Sequence, residues 1–77
     1  MSDGELPVIR SVELVHALER MGFSLTRKSP GSHLRYVHPD GRKTTVPMHQ
    51  GKTIGRGLLR KILKDVGISA EELREYL

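Results

Sequence analysis

The 77-residue chain has no cysteine and no tryptophan, and only two tyrosines and one phenylalanine. Without cysteine there is no disulfide framework and no thiolate to serve as nucleophile or metal ligand. That composition suits a reducing compartment. No stretch approaches the roughly 18 apolar residues of a membrane helix. The opening MSDGELPVIR lacks the apolar block of a secretory signal. A cytoplasmic protein with no membrane partner is expected. At this length one domain with a small core is expected, because about 60–65% of the unfolded surface can be buried.

Acids are nearly missing from the middle of the chain. Residues 20–64 carry eleven Lys or Arg and one acid, Asp40, for a net +10. Residues 1–19 and 65–77 each carry a net −3, which brings the total to +4. So one-sided a segment repels itself unless an anion lies nearby, and nucleic acid is the commonest such partner. An inert, solvated basic surface is the competing reading.

The apolar pattern gives an element order. Residues 1–10 have no clear period and read as a loose tail, so the domain is expected to span 11–77. Ser11 reads as an N-cap. After it, Leu14, Val15, Leu18 and Met21 share a helical face, and Gly22 stands where a helix-terminating glycine belongs. FSLTRKS (23–29), HLRYVH (33–38) and KTTVP (43–47) alternate as half-buried strands do, separated by turn chemistry at Pro30-Gly31 and Pro39-Asp40-Gly41. Leu58, Leu59, Ile62, Leu63 and Val66 mark a second helix closed by Gly67. Ser69 with Glu72 forms a capping box for a short third one. The fold class is therefore α+β, in the order α-β-β-β-α plus a short C-terminal helix. A three-stranded antiparallel sheet offers one face, Phe23, Leu25, Leu34, Tyr36 and Val46, to both helices. The other face is left to Thr26, Lys28, His33, Arg35, Lys43 and Thr45.

The chemistry that these residues allow is narrow. His33 and His38 are five apart and fall on opposite strand faces. The basic segment has no carboxylate cluster of the kind two-metal nucleases need, and GKTIGRG lacks the spacing of a phosphate-binding loop. No metal or other cofactor is expected. His33 is different, since it is placed on an exposed basic surface. Neighbouring cations disfavour the imidazolium and attract a phosphodiester. RNA brings its own nucleophile, the 2′-hydroxyl, which a neutral imidazole can deprotonate while Arg35, Lys28 or Lys43 stabilises charge on phosphorus oxygens. A catalytic reading thus narrows to metal-free RNA cleavage. Its alternative is a non-catalytic RNA-binding module using the basic sheet face alone. His16 reads as a partly buried helix residue and His38 as a turn residue. His49 lies in a loop, where it could meet phosphate or supply a proton.

Residues 22–69, GFSLTRKSPGSHLRYVHPDGRKTTVPMHQGKTIGRGLLRKILKDVGIS, resemble the HicA (YcfA-like) toxins of toxin–antitoxin pairs. The resemblance rests on GSH opening the second strand, PDGR at the turn, VP-x-H after the third strand and GLLRKILKDVGIS on the second helix, with SVELVHALERMGF before them. It implies a fold similar to double-stranded-RNA-binding domains, a ribonuclease that cleaves mRNA independently of the ribosome, and neutralisation by a HicB-type antitoxin. It also implies that His33, of the GSH motif, is the catalytic histidine, with Gly31 and Ser32 shaping the turn. Many members have a second histidine directly afterwards, where Leu34 stands here. Candidate RNA contacts are Lys28, Ser32, Arg35, Lys43, His49 and Arg60. Oligomeric state, a homodimer included, is left open, as are the general acid, the RNA preference and the role of 69–77.

Overall fold

The computed structural model describes residues 6–29, 33–48 and 51–77, with residues 27–29 as backbone alone. In chain order the elements are α1 (Ser11–Arg20), β1 (Ser24–Ser29), β2 (His33–Val37), β3 (Lys43–Pro47), α2 (Arg56–Val66) and α3 (Ala70–Arg74). The strands form one antiparallel sheet in the order β1-β2-β3. This is the α+β arrangement that the alternating and helical periods predict.

Both helices cover the same sheet face. Tyr36 and Thr44 are paired across β2 and β3, and directly opposed residues share a face. The Tyr36 hydroxyl lies 3.4 Å from Glu19 Oε2 on α1, and the Thr44 hydroxyl donates to Asp65 Oδ2 on α2 at 2.9 Å. Between the layers lie Leu14, Leu18, Phe23, Leu34, Tyr36, Val46, Leu59, Ile62 and Val66. The reverse side of the sheet carries His33, Arg35, Lys43 and Thr45, as alternation requires.

Four expectations change. Leu25 has the parity of the core face, opposite Tyr36, yet is 43% exposed. It sits on an edge strand, and the helices lie mainly against β3. Ser11 does not cap α1. Arg10 holds that position, and its N–H donates to Glu13 Oε1 at 2.8 Å. The Ser11 hydroxyl instead donates to the Pro47 carbonyl at 2.7 Å, tying the start of α1 to the end of β3. His16 is exposed on α1 rather than partly buried. Residues 6–10, aperiodic in sequence, are anchored at two side chains while Val8 stays exposed: Ile9 is 3% exposed and Leu6 joins the core, Ile54 N–H donates to the Ile9 carbonyl at 2.8 Å, and Arg10 bridges to Thr53.

The helix ends follow their sequence signals. Gly22, at φ +104°, follows the last turn of α1, and Gly67, at φ +79°, closes α2. Ser69 and Glu72 make the expected capping box, with the Glu72 N–H donating to Ser69 Oγ at 3.1 Å and the Ser69 N–H to Glu72 Oε1 at 2.8 Å.

Candidate functional site

The open sheet face is a grid fixed by strand register. One row is Ser29, His33 and Pro47; the next is Arg27, Arg35 and Thr45; the third is Ser24, Val37 and Lys43. His33 is exposed, Arg35 half-buried and Lys43 exposed. Alternate residues on one strand are about 6.7 Å apart, so Arg35 stands one row from His33 and Lys43 two rows, about 13 Å away along the strands. Arg35 is held in place: its Nη1 donates to the Thr45 hydroxyl at 3.3 Å, and its carbonyl accepts from Thr26 Oγ1 at 3.3 Å. A guanidinium so tethered loses less freedom when it meets an anion than a free one does.

His33 occupies the sheet end at which both long helices begin. It pairs with Pro47, whose carbonyl is bonded to Ser11 in the first turn of α1. Arg10, just before α1, bridges to Thr53, two residues ahead of the Gly55 that caps α2. The opposite end of the β2–β3 hairpin is a clasp. The His38 carbonyl accepts from the Gly41 N–H at 2.9 Å, and Asp40 accepts from the Arg42 N–H at 3.0 Å and from Arg42 Nε at 2.9 Å. The backbone N–H of Arg42, and then its guanidinium, hold the Asp40 carboxyl below the usual carboxylate range. Arg42 Nη1 also donates to the Val66 carbonyl at 2.5 Å, and the guanidinium carbon lies 5.3 Å from the centre of the Phe23 ring. His38 packs edge-on to Phe23 at 5.1 Å between centroids, and its Nδ1 accepts from the Asp40 N–H at 3.1 Å. His38 and Asp40 are thus engaged in structure, away from the row of His33.

Of the sequence-predicted site residues, His33, Arg35 and Lys43 share one face. Arg60 does not join them. It lies on α2, in the layer behind the sheet, and borders a hollow of about 260 Å³ with Leu6, Lys64 and Ala70. Ser32 and His49 fall outside the described residues, as does the Gly31 turn. Lys28 is described by backbone alone, and its register differs from simple alternation. Thr26 is an extra residue in β1, so Lys28 opposes Leu34, while Arg27 opposes Arg35. Nothing in TRKS announces that shift, because it contains no glycine to mark a bulge.

Among the described residues no three His, Asp or Glu side chains gather closely enough to hold a metal ion. No described helix is long and apolar enough to cross a membrane. What the open face can do chemically is bind an anion at Arg35 and offer an accessible imidazole one row away.

No curated protein matches the chain. Residues 11–68, from the first turn of α1 to the residue after Gly67, match the family model described as the HicA toxin of bacterial toxin–antitoxin systems. The match takes in the whole sheet and both long helices, and on it the chain belongs to the HicA toxin family.

Proposed function

We propose that this toxin is a metal-independent endoribonuclease that cleaves mRNA, with His33 as the general base. The observation that carries the reading is the placement of His33. It is exposed at the end of a basic sheet face that no described helix covers, with a tethered guanidinium in the next row.

The reaction uses the substrate's own nucleophile. The His33 imidazole takes the proton of a ribose 2′-hydroxyl, and the oxygen attacks the adjacent phosphorus. Arg35 binds the non-bridging oxygens, where negative charge grows in the transition state. The bond from phosphorus to the 5′-oxygen breaks, leaving a 2′,3′-cyclic phosphate on one product and a 5′-hydroxyl on the other. The leaving oxygen takes up a proton, from His49, a lysine or water. Lys43, two rows away, serves a neighbouring phosphate rather than the scissile one. DNA lacks the 2′-hydroxyl and is bound without being cut. Within a toxin–antitoxin pair, the partner for so basic a face is an acidic antitoxin of HicB type, which inhibits by covering His33.

The test compares wild type with His33→Ala on a labelled mRNA in the presence of EDTA. Wild type is expected to cut and to leave cyclic-phosphate ends. His33→Ala should bind with unchanged affinity and cut about 10²–10⁴-fold more slowly, the range for loss of a general base. Unimpaired cutting by His33→Ala, or activity abolished by EDTA, overturns the mechanism. Binding without cleavage by either protein favours the RNA-binding module.

A further inference from the structure

Thr26 changes which residues of β1 belong to the open face. β1 and β2 pair Leu25 with Tyr36, and then Arg27 with Arg35 and Ser29 with His33. One residue of β1 therefore has no counterpart on β2. Such bulges twist the strand, re-aim positions beyond them and recur beside active sites. Thr26 is bonded to the very residue it precedes in register, through Oγ1 to the Arg35 carbonyl at 3.3 Å. Beyond the bulge, position 27 lies across from Arg35 on the open face, and position 28 lies across from the buried Leu34.

We propose that Arg27 is the second arm of a two-arginine clamp for an RNA phosphodiester, closing with Arg35 in the row beside His33. The proposal rests on the RNA-cleaving reading of this face. The physical case is the pairing itself. Directly opposed residues have Cβ atoms about 4.5–5.5 Å apart, and like charges at such positions destabilise a sheet. Register sets two arginines at opposed positions of β1 and β2, and like charges so placed are unfavourable in the free protein. A phosphate between them removes the repulsion and presents oxygens that two forked guanidinium groups match. The row of His33 is next along the strands, about 6.7 Å away. A phosphodiester held between positions 27 and 35 therefore brings its ribose toward the imidazole. Lys28, across from Leu34, takes no part in the clamp.

The experiment measures binding of a short unstructured RNA oligonucleotide as a function of salt, in a His33→Ala background that leaves the RNA intact. Adding Arg27→Ala is expected to weaken binding about tenfold near 0.1 M salt and to make the slope of log affinity against log salt shallower by about 0.7. Adding Lys28→Ala should change affinity less than about twofold. Without RNA, Arg27→Ala alone should melt at or above the wild-type temperature in low salt. A merely structural arginine would lower that temperature instead. A Lys28→Ala loss equal to or larger than that of Arg27→Ala overturns the clamp, as does an Arg27→Ala variant that binds like its parent. A wild type that binds RNA without cutting it removes the ribonuclease reading and leaves the clamp to be decided by these affinities. A wild type that fails to bind RNA overturns both.

Discussion

Gly22 shows how one residue can control the whole hairpin end. Its φ of +104° is a conformation that side-chain-bearing residues rarely adopt, and a Cβ there would stand 3.0 Å from His38 Nε2. The imidazole cannot yield freely, because it packs edge-on to Phe23 and accepts the Asp40 N–H. Gly22→Ala is expected to cost about 1–3 kcal/mol, the usual scale for enforced backbone strain, read as a lower midpoint in urea with unchanged slope. A midpoint equal to wild type would mean that the turn relaxes without loss. Tyr36 makes a second residue-level prediction. Its ring is buried, and burial, with Glu19 close to the hydroxyl, raises the phenol's pKa above its ordinary value near 10. The folded state thus favours the protonated form. The resulting stability is fully present below about pH 10 and is lost as pH rises through the folded value. Melting temperature should therefore fall in alkaline solution, and Tyr36→Phe should flatten that fall. An identical alkaline profile in both proteins would place the loss elsewhere.

At the scale of elements, the clasp between the β2–β3 turn and α2 does what no propensity encodes. Arg42 Nη1 donates to the Val66 carbonyl, one of the terminal acceptors that a helix leaves without an internal partner. Arg42→Ala should destabilise the protein by about 1–3 kcal/mol, the scale of a charge-assisted hydrogen bond, while leaving RNA affinity intact, because the clasp lies at the far end of the hairpin from His33. A variant as stable as wild type but poor in RNA binding would reverse that assignment. The same comparison shows what the sequence makes legible. Strand alternation and the helical stripes identify every element, because each buries one face. Glycines and the Ser69–Glu72 box mark ends, because their chemistry is local. His33, Arg35 and Lys43 share a face for the same local reason. The roles of Ser11 and Arg42 were not legible, since each bonds a carbonyl distant in sequence, Pro47 and Val66. The exposure of Leu25 depends on how far the helices reach across the sheet, and the shift at Thr26 on how two strands meet. Neither is a property of either segment alone.

At the scale of the whole molecule, the packed body is larger than the family match. Outside residues 11–68 the core takes in Leu6 and Ile9 at one end and Ala70 and Leu73 at the other. Leu73 is 0% exposed, and Arg20 on α1 donates through Nη1 to the Tyr76 carbonyl, so α3 is fastened to the first helix as well as to the core. A domain of this size has about 4–12 kcal/mol of net stability, and truncating one fully buried leucine typically costs about 2–5 kcal/mol. Leu73→Ala should therefore lower the melting temperature by about 10 °C or more, and ending the chain at Ile68 should leave little folded protein at 37 °C. The open face lies on the other side of the sheet from α3, so if RNA binds at Arg35 as proposed, it should partly restore the melting temperature of Leu73→Ala by mass action, because the ligand engages only the folded state. Thermal melts of the three proteins, with and without an RNA oligonucleotide in the His33→Ala background, make the comparison. A truncated chain that melts like wild type would show that residues 69–77 are an appendage rather than part of the core.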